Sequence, residues 1–535
     1  MKKNLFYALL PLALFSCSGD DGSIDTSALT GGVSLTGGTS AEALSIEFDE
    51  SALEETDDVF TDEASDADLY EDYVENAGEF KNIVRITWDG SSVSCSQSND
   101  DGDIVVTTSG ADVTVNASKK AQYILSGSCS DGSFKIYSDK KFQLTLDGLT
   151  LTNPTGAAIN SQTKKRMYLV VADGSVNTLR DGSSYTASVP ALDDEGNATG
   201  EYEDEKGVVF SEGQIILSGA GKLNINAVGK NGLVSDQYLR IRPLTRLTVS
   251  ASSTASNALK ADSVLIMGGV LNLGTASADG KGIQSETDVI ITGGRTTVIT
   301  TGSGDASSGG GGGMNPGGGG PGWRTRAASS SSSGNAPKGI KAGARIRITG
   351  GTLRVRCDGA SGEGIESKYS GSDAAILVSG GDVVSYAKQD DAVNAAGMIL
   401  ITSGTLAAYA TGNDAVDSNY GRTGAVTVTG GTIIGISSAG SPEEGIDCDN
   451  MSYITVRGGT LICLGGSQNG GRSLSSATTQ GYYIGSNQAF VSGTTYTLYS
   501  GSSAFLRFSS PLSVNSALTV LSAPGMTLGT SYSLQ

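Results

Sequence analysis

The chain contains no histidine. Without an imidazole, Ser-His-Asp triads and histidine-ligated zinc sites are excluded. Proline is scarce, at 10 of 535 residues, and aromatic residues make up only 6%. Long apolar runs are missing too: the run over residues 5–15 falls well short of the roughly 20 residues that span a bilayer. No basic stripe or nucleic-acid recognition motif appears, so no nucleic-acid partner is expected. What is abundant is glycine, at 76 residues. Too much Val, Ile and Leu accompanies it for collagen or pure disorder. The mix suits many short strands joined by tight turns.

Lys2 and Lys3 followed by the apolar run form a secretory signal. Leu14-Phe15-Ser16-Cys17 resembles a bacterial lipobox, which makes Cys17 the expected lipidation site and residues 1–17 a lipoprotein signal peptide. Ser18-Gly19-Asp20-Asp21 resembles the acidic export tag of Bacteroidetes lipoproteins. The expected location is therefore the outer membrane, exposed at the cell surface, with membrane contact only through the lipid anchor. Residues 18–80 hold nineteen acidic and no basic residues and read as an acidic disordered tether. From residue 81 onward 34 basic face 37 acidic residues, so the formal charge of −20 belongs mostly to the tether. Five further cysteines, Cys95, Cys129, Cys357, Cys448 and Cys463, are an odd number and are expected as buried structural thiols.

Seven segments align without gaps: 263–273, 288–298, 345–355, 375–385, 398–408, 425–435 and 453–463. In each, apolar residues alternate before and after a glycine pair (once Ser403-Gly404), as in Ile346, Ile348, Leu353 and Val355. Period two means strand, and the pair marks a bend between two strands. A third element recurs once per repeat, with apolar anchors Leu233, Leu259, Ile283, Ile340, Ile365, Val393, Val416 and Ile446. The expected fold is all-β: a right-handed parallel β-helix with three short strands per coil, about 14 coils, on the order of 65 Å long. The helix is assigned to residues 81–470, with a flexible Gly/Ser insert at about 302–336. Residues 471–535 lose the repeat and read as a C-terminal β cap, packed where the outward positions Ile434, Ile436, Ile462 and Leu464 turn apolar.

The stretch from residue 86 to the C-terminus resembles a bacterial family of carbohydrate-binding domain proteins. The blocks that carry the likeness are 132–153, 170–188, 206–225 and the I-x-G-G-T rows. That family includes calcium- and polygalacturonate-binding β-helix proteins related in fold to pectate lyases. The resemblance implies the scaffold and a polysaccharide partner. The acidic loop 193–205 and the Gly/Ser insert depart from it.

Two outward columns follow from stacking. The first is a carboxylate ladder: Glu363, Asp391, Asp414 and Glu444 stand two residues before the anchor. Glu366, Asp417 and Asp447 stand one after it, with Asp449 beside them. Neighbours about 5 Å apart repel by roughly 3–4 kcal/mol at an effective dielectric of 20, so a counter-ion is expected. Hard oxygen ligands suit Ca²⁺, and the resemblance points the same way. The second column is Arg354, Arg356, Tyr386 and Tyr409, counted as solvent-facing and suited to an acidic glycan through ring stacking and guanidinium–carboxylate bonds. The reading is a surface-anchored, non-catalytic, calcium-assisted binder of acidic or plant-type polysaccharide. The alternatives are a calcium-dependent pectate-type lyase and a structural adhesin; no catalytic residues stand out.

Overall fold

A computed structural model describes residues 80–98, 102–186, 189–192, 198–304, 336–466 and 473–535. Cys17, the signal peptide, the tether up to residue 79 and most of the Gly/Ser insert lie outside the described residues. The described chain is all-β apart from short turns and a 3-10 turn, and long parallel sheets dominate it. Its strands form three columns that the chain visits in turn, which is the arrangement of a parallel β-helix.

One coil shows the plan. Ile215–Ser218 lies in the first column, Lys222–Ala227 in the second and Asn231–Ser235 in the third. Each pairs in parallel with its equivalent one coil later: Ile215 with Leu239, Leu223 with Leu247, and Leu233 with Leu259. Alternation sends every second side chain inward, so the eight anchors of the third column are all buried in one continuous core. The columns keep register across the insert, with Ile283 opposite Ile340 and Val298 opposite Val355.

The glycine pairs bend the chain between the first two columns. Gly351 adopts φ +78°, and a Cβ there would lie 2.6 Å from the Gly293 carbonyl carbon. Stacking of like bends leaves no room for a side chain at that point, and the positive φ favours glycine independently.

Both ends are closed by antiparallel pairing. The first strand, Asn82–Asp89, pairs in parallel with Ala121–Cys129 and in antiparallel fashion with Ser92–Gln97. At the other end Val514–Ser522 runs antiparallel to Thr460–Gly465 and to Tyr483–Phe490. A small sheet of Thr495–Ser500, Ser503–Ser509 and Ser533–Leu534 completes this region. It buries a second apolar cluster in which Phe490, Leu506, Phe508 and Leu521 meet Ile434, Ile436, Ile462 and Leu464. That cluster reaches two coils further back than the apolar row in the sequence suggests, to Tyr386 and Tyr409. Cys129, Cys357, Cys448 and Cys463 are buried free thiols, whereas Cys95 is exposed.

Candidate functional site

The third column carries the ladder, and its outward side chains change character along the rod. In register they run Val234, Lys260, Gln284, Lys341, Glu366, Asn394, Asp417 and Asp447. The edge position two residues before each anchor runs Asn231, Asn257, Lys281, Lys338, Glu363, Asp391, Asp414 and Glu444. Side chains are neutral or basic up to Lys341 and mostly acidic beyond it.

The edge position has a backbone task. Asn231 Oδ1 accepts a hydrogen bond from the Asn257 N–H at 3.0 Å, and Asn257 Oδ1 accepts from Lys281 N–H at 2.9 Å. Further along, Asp391 Oδ1 accepts from Asp414 N–H at 3.1 Å, and Asp414 Oδ1 accepts from Glu444 N–H. Each aspartate therefore gives one oxygen to the next coil.

The acids are buried: Glu363 is 7% exposed, Glu366 3%, Asp391 4% and Asp414 7%. Asp417, Glu444 and Asp447 are half-buried, and Asp449 is exposed in the following turn. Oxygens of Glu363, Asp391 and Asp390 lie within 4.8 Å of one another. Asp390 stands one residue before the ladder row and was not among the residues read from sequence. Asn394 Nδ2 bridges this group, donating to Glu363 Oε1 at 3.3 Å and Asp391 Oδ2 at 3.2 Å.

At the charge boundary Lys338 Nζ lies 2.8 Å from Glu363 and 3.9 Å from Glu366, and Lys368 also reaches Glu366. Burial opposes the Lys338 ammonium, yet Glu363 and Glu366 outweigh it and raise its pKa. Burial likewise works against the Glu366 carboxylate, but Lys338 and Lys368 hold its pKa below the ordinary value. Away from those cations burial wins. Glu363 is pushed up to about 8 despite Lys338, with Glu366 and Asp390 adding repulsion. Asp391 is raised well above the ordinary range by burial and by Asp417, Asp390 and Glu363. Asp414 is pushed up to about 9 and Asp417 to about 7, again by burial first and by neighbouring carboxylates next. Among the described residues, Glu363 Oε2 and Glu366 Oε2 are buried and find no hydrogen-bond donor. Hard, crowded, incompletely satisfied oxygens fit a divalent cation such as Ca²⁺.

The second expected column is corrected by the structure. Tyr386 and Tyr409 face outward from their strands but are only 4% and 2% exposed, because the C-terminal region covers them. Arg354 is bound to Asp382, through its side chain at 2.5 Å and its carbonyl at 2.9 Å. Arg356 is clamped by Asp358 at 2.7 and 2.8 Å. Outward from a sheet did not mean open to water, and these four residues form no sugar platform.

The early half of the third column has a cover of its own. Glu203 accepts from Lys135 Nζ at 2.9 Å and from Tyr137 Oη at 2.6 Å, and Glu205 accepts from Asn160 Nδ2 at 2.9 Å. Glu203 and Glu205 thus lie over the rungs of Lys135, Tyr137 and Asn160, which precede Val234, and away from the carboxylate rungs.

This is an all-β solenoid with a buried row of carboxylates on one face. The profile of the carbohydrate-binding domain-containing protein family matches residues 109–280 and 252–384, which is more than half of the chain, and the chain belongs to that family. A protein of Acetivibrio thermocellus described as a carbohydrate-binding domain-containing protein is 31% identical over 129 residues. The match covers 24% of this chain and 42% of that relative, so the chain spans less than half of the relative's length. A solved structure of a polysaccharide lyase-like protein from C. thermocellum aligns at 17% identity with a TM-score of 0.32, covering 74% of this chain and 96% of the other.

Proposed function

We propose that this protein is a surface-anchored, non-catalytic lipoprotein that binds acidic polysaccharide through calcium held on the late rungs of the third column. The family supplies carbohydrate binding in general terms. The observation that carries the finer reading is the pair Glu363 and Asp391, both buried, joined by the half-buried Asp390, with one Glu363 oxygen that has no hydrogen-bond partner among the described residues. Asp414, Asp417, Glu444 and Asp447 continue the same rows and offer further oxygens. When bound, Ca²⁺ supplies positive charge that these carboxylates share with carboxylates of a glycan. The chain's own contribution is to hold the oxygens in fixed register, one coil apart. A non-catalytic role suits three of the arginines, which are already engaged: Arg354 with Asp382, Arg356 with Asp358, and Arg345 with Asp373 at 3.1 Å.

Anchoring rests on Cys17, with the acidic segment between lipid and rod. Glycan-array binding with calcium and with EDTA tests the reading. Binding of uronate polymers that EDTA abolishes is the expected result. Binding that is indifferent to EDTA, or an array without hits, overturns it. Metabolic labelling with a palmitate analogue tests the anchor, and incorporation that survives Cys17→Ala overturns it.

A further inference from the structure

Beside the acid rows, at the corner where the third column turns back to the first, two arginines lie on tyrosine rings. They differ in what is left open. The Arg345 guanidinium sits 4.5 Å over the Tyr369 ring, donates to Tyr369 Oη at 3.0 Å and meets Asp373 at 3.1 Å. The Arg422 guanidinium sits 4.0 Å over the Tyr420 ring. Arg422 is exposed, and no acceptor among the described residues is bonded to its guanidinium.

A guanidinium is planar. Stacked on a ring it uses one face, and the N–H groups along its edge stay free for a flat anion. A carboxylate takes such an edge through two parallel hydrogen bonds. Arg345 has its donors engaged by Asp373 and the tyrosine hydroxyl, whereas those of Arg422 are open. The corner that carries Arg422 is also held still. Gly421 at φ +63° and Gly424 at φ +89° shape the turn on either side of it. Its carbonyl accepts from Ala425 N–H at 3.1 Å, and Gly424 N–H donates to the Tyr453 carbonyl of the next coil at 2.8 Å. Tyr420 is half-buried against the core, so the ring under the guanidinium is fixed as well. A ligand has little left to order there, which favours affinity.

The turn is joined to the carboxylate rows. The third-column strand of the same coil, Val416–Ser418, bears Asp417. Asn419 Nδ2 donates to Asp417 Oδ2 at 2.8 Å and to Asn394 Oδ1 at 3.4 Å, which ties the turn to two rungs. From the next coil Asp449 reaches the turn, since a Cβ on Gly421 would lie 4.0 Å from its Oδ2. A fixed cation with a free edge therefore stands at the rim of a row of acids. Calcium on that row could be shared with any polymer that offers oxygens. A fixed guanidinium beside it favours a polymer that carries carboxylates of its own.

We infer that Arg422, stacked on Tyr420, reads the acidic glycan: its open edge takes a uronate carboxylate beside the calcium held by the acid rows. Tyr420 is a positioning residue that aims the guanidinium. The inference rests on the glycan reading and adds to it the residue that tells a charged polymer from a neutral one.

Titration calorimetry of the full-length protein with polygalacturonate in calcium tests it, alongside titration with calcium alone. Arg422→Ala is expected to weaken binding of the polymer at least about tenfold, while calcium uptake without glycan is not reduced. Arg422→Lys recovers only part of the loss, because an ammonium offers no flat pair of donors. Tyr420→Phe keeps the parental affinity, and Tyr420→Leu loses part of it. Parental affinity in Arg422→Ala overturns the inference and leaves the glycan reading standing. Full recovery in Arg422→Lys does the same, as does a parallel loss of calcium uptake, which moves the effect to the acid rows. A parent protein that binds no polygalacturonate in calcium overturns both readings together.

Discussion

The early and late halves of the third column share one backbone and differ in charge. Leu233, Leu259 and Ile283 are buried as Ile365, Val393 and Val416 are, in unbroken register. Asn257 caps the next coil's N–H at 2.9 Å in the early half, and Asp391 does so at 3.1 Å in the late half. An amide therefore performs the structural task without burying a charge. Aspartate at the same position adds nothing that the fold needs, and its raised pKa marks it as unfavourable there when no cation is present. The contrast teaches that a scaffold can be kept while one face of it is recharged, and it agrees with the proposal that the carboxylates serve a ligand.

The boundary residue gives the largest expected effect. Lys338→Met leaves Glu363 without its ammonium and Glu366 with Lys368 alone, and should destabilise the metal-free protein by about 3–5 kcal/mol. Calcium should recover part of that loss in urea unfolding. If the variant unfolds like the parent in EDTA, Lys338 does not hold the boundary.

The pH dependence follows next. Burial raises Asp414 to about 9 and Asp417 to about 7, above their ordinary values, so the folded state binds more protons than the unfolded state in between. Stability is then full below about pH 4 for these groups and declines as pH rises through the folded values. In EDTA the protein should be more stable at pH 5 than at pH 8 by at least about 2 kcal/mol. Asp414→Asn should flatten that slope and raise stability at pH 8. A flat or inverted profile in the parent protein breaks the argument.

The reciprocal exchange is smaller. Asn257→Asp puts a charge where Asn257 Nδ2 now donates to Asn231 Oδ1 at 2.8 Å, and should cost about 1–3 kcal/mol at pH 8. Chemical denaturation at pH 8 and pH 5 checks it, with the deficit shrinking at the lower pH. Smallest of all is Arg356→Ala, half-buried and held by Asp358, which should change stability by no more than about 1 kcal/mol and leave glycan affinity unaltered. A loss of glycan binding in this variant would restore the strip that the structure removes.

Much of the architecture was legible because its signal is periodic. Anchors such as Ile340 and Val416 mark the third column, and the glycine pairs mark each bend. The ladder residues Glu363, Asp391 and Asp414 were legible for the same reason. What periodicity could not show is what folds back from elsewhere. Tyr386 and Tyr409 sit at outward offsets, but the strands after residue 480 return to cover them, and no count within a coil reveals that. Asp390 was missed because it lies off the row and joins Glu363 only across coils. The capping role of Asn257 and Asp391 was equally hidden, since an aspartate paired with a backbone N–H looks in sequence like any other acid. Lys338 was not singled out in the sequence, because its ion pair depends on the register that sets it on Glu363.

The antiparallel strands at the two ends set a limit on assembly. A stack of parallel rungs is an open template, since its last rung offers the same hydrogen-bonding edge as every rung before it. Here Ser92–Gln97 lies across the first rung and Val514–Ser522 across the last of its column. Both run against the grain of the stack. At these two rungs a second copy of the rod therefore meets no matching parallel edge on which to continue the stack.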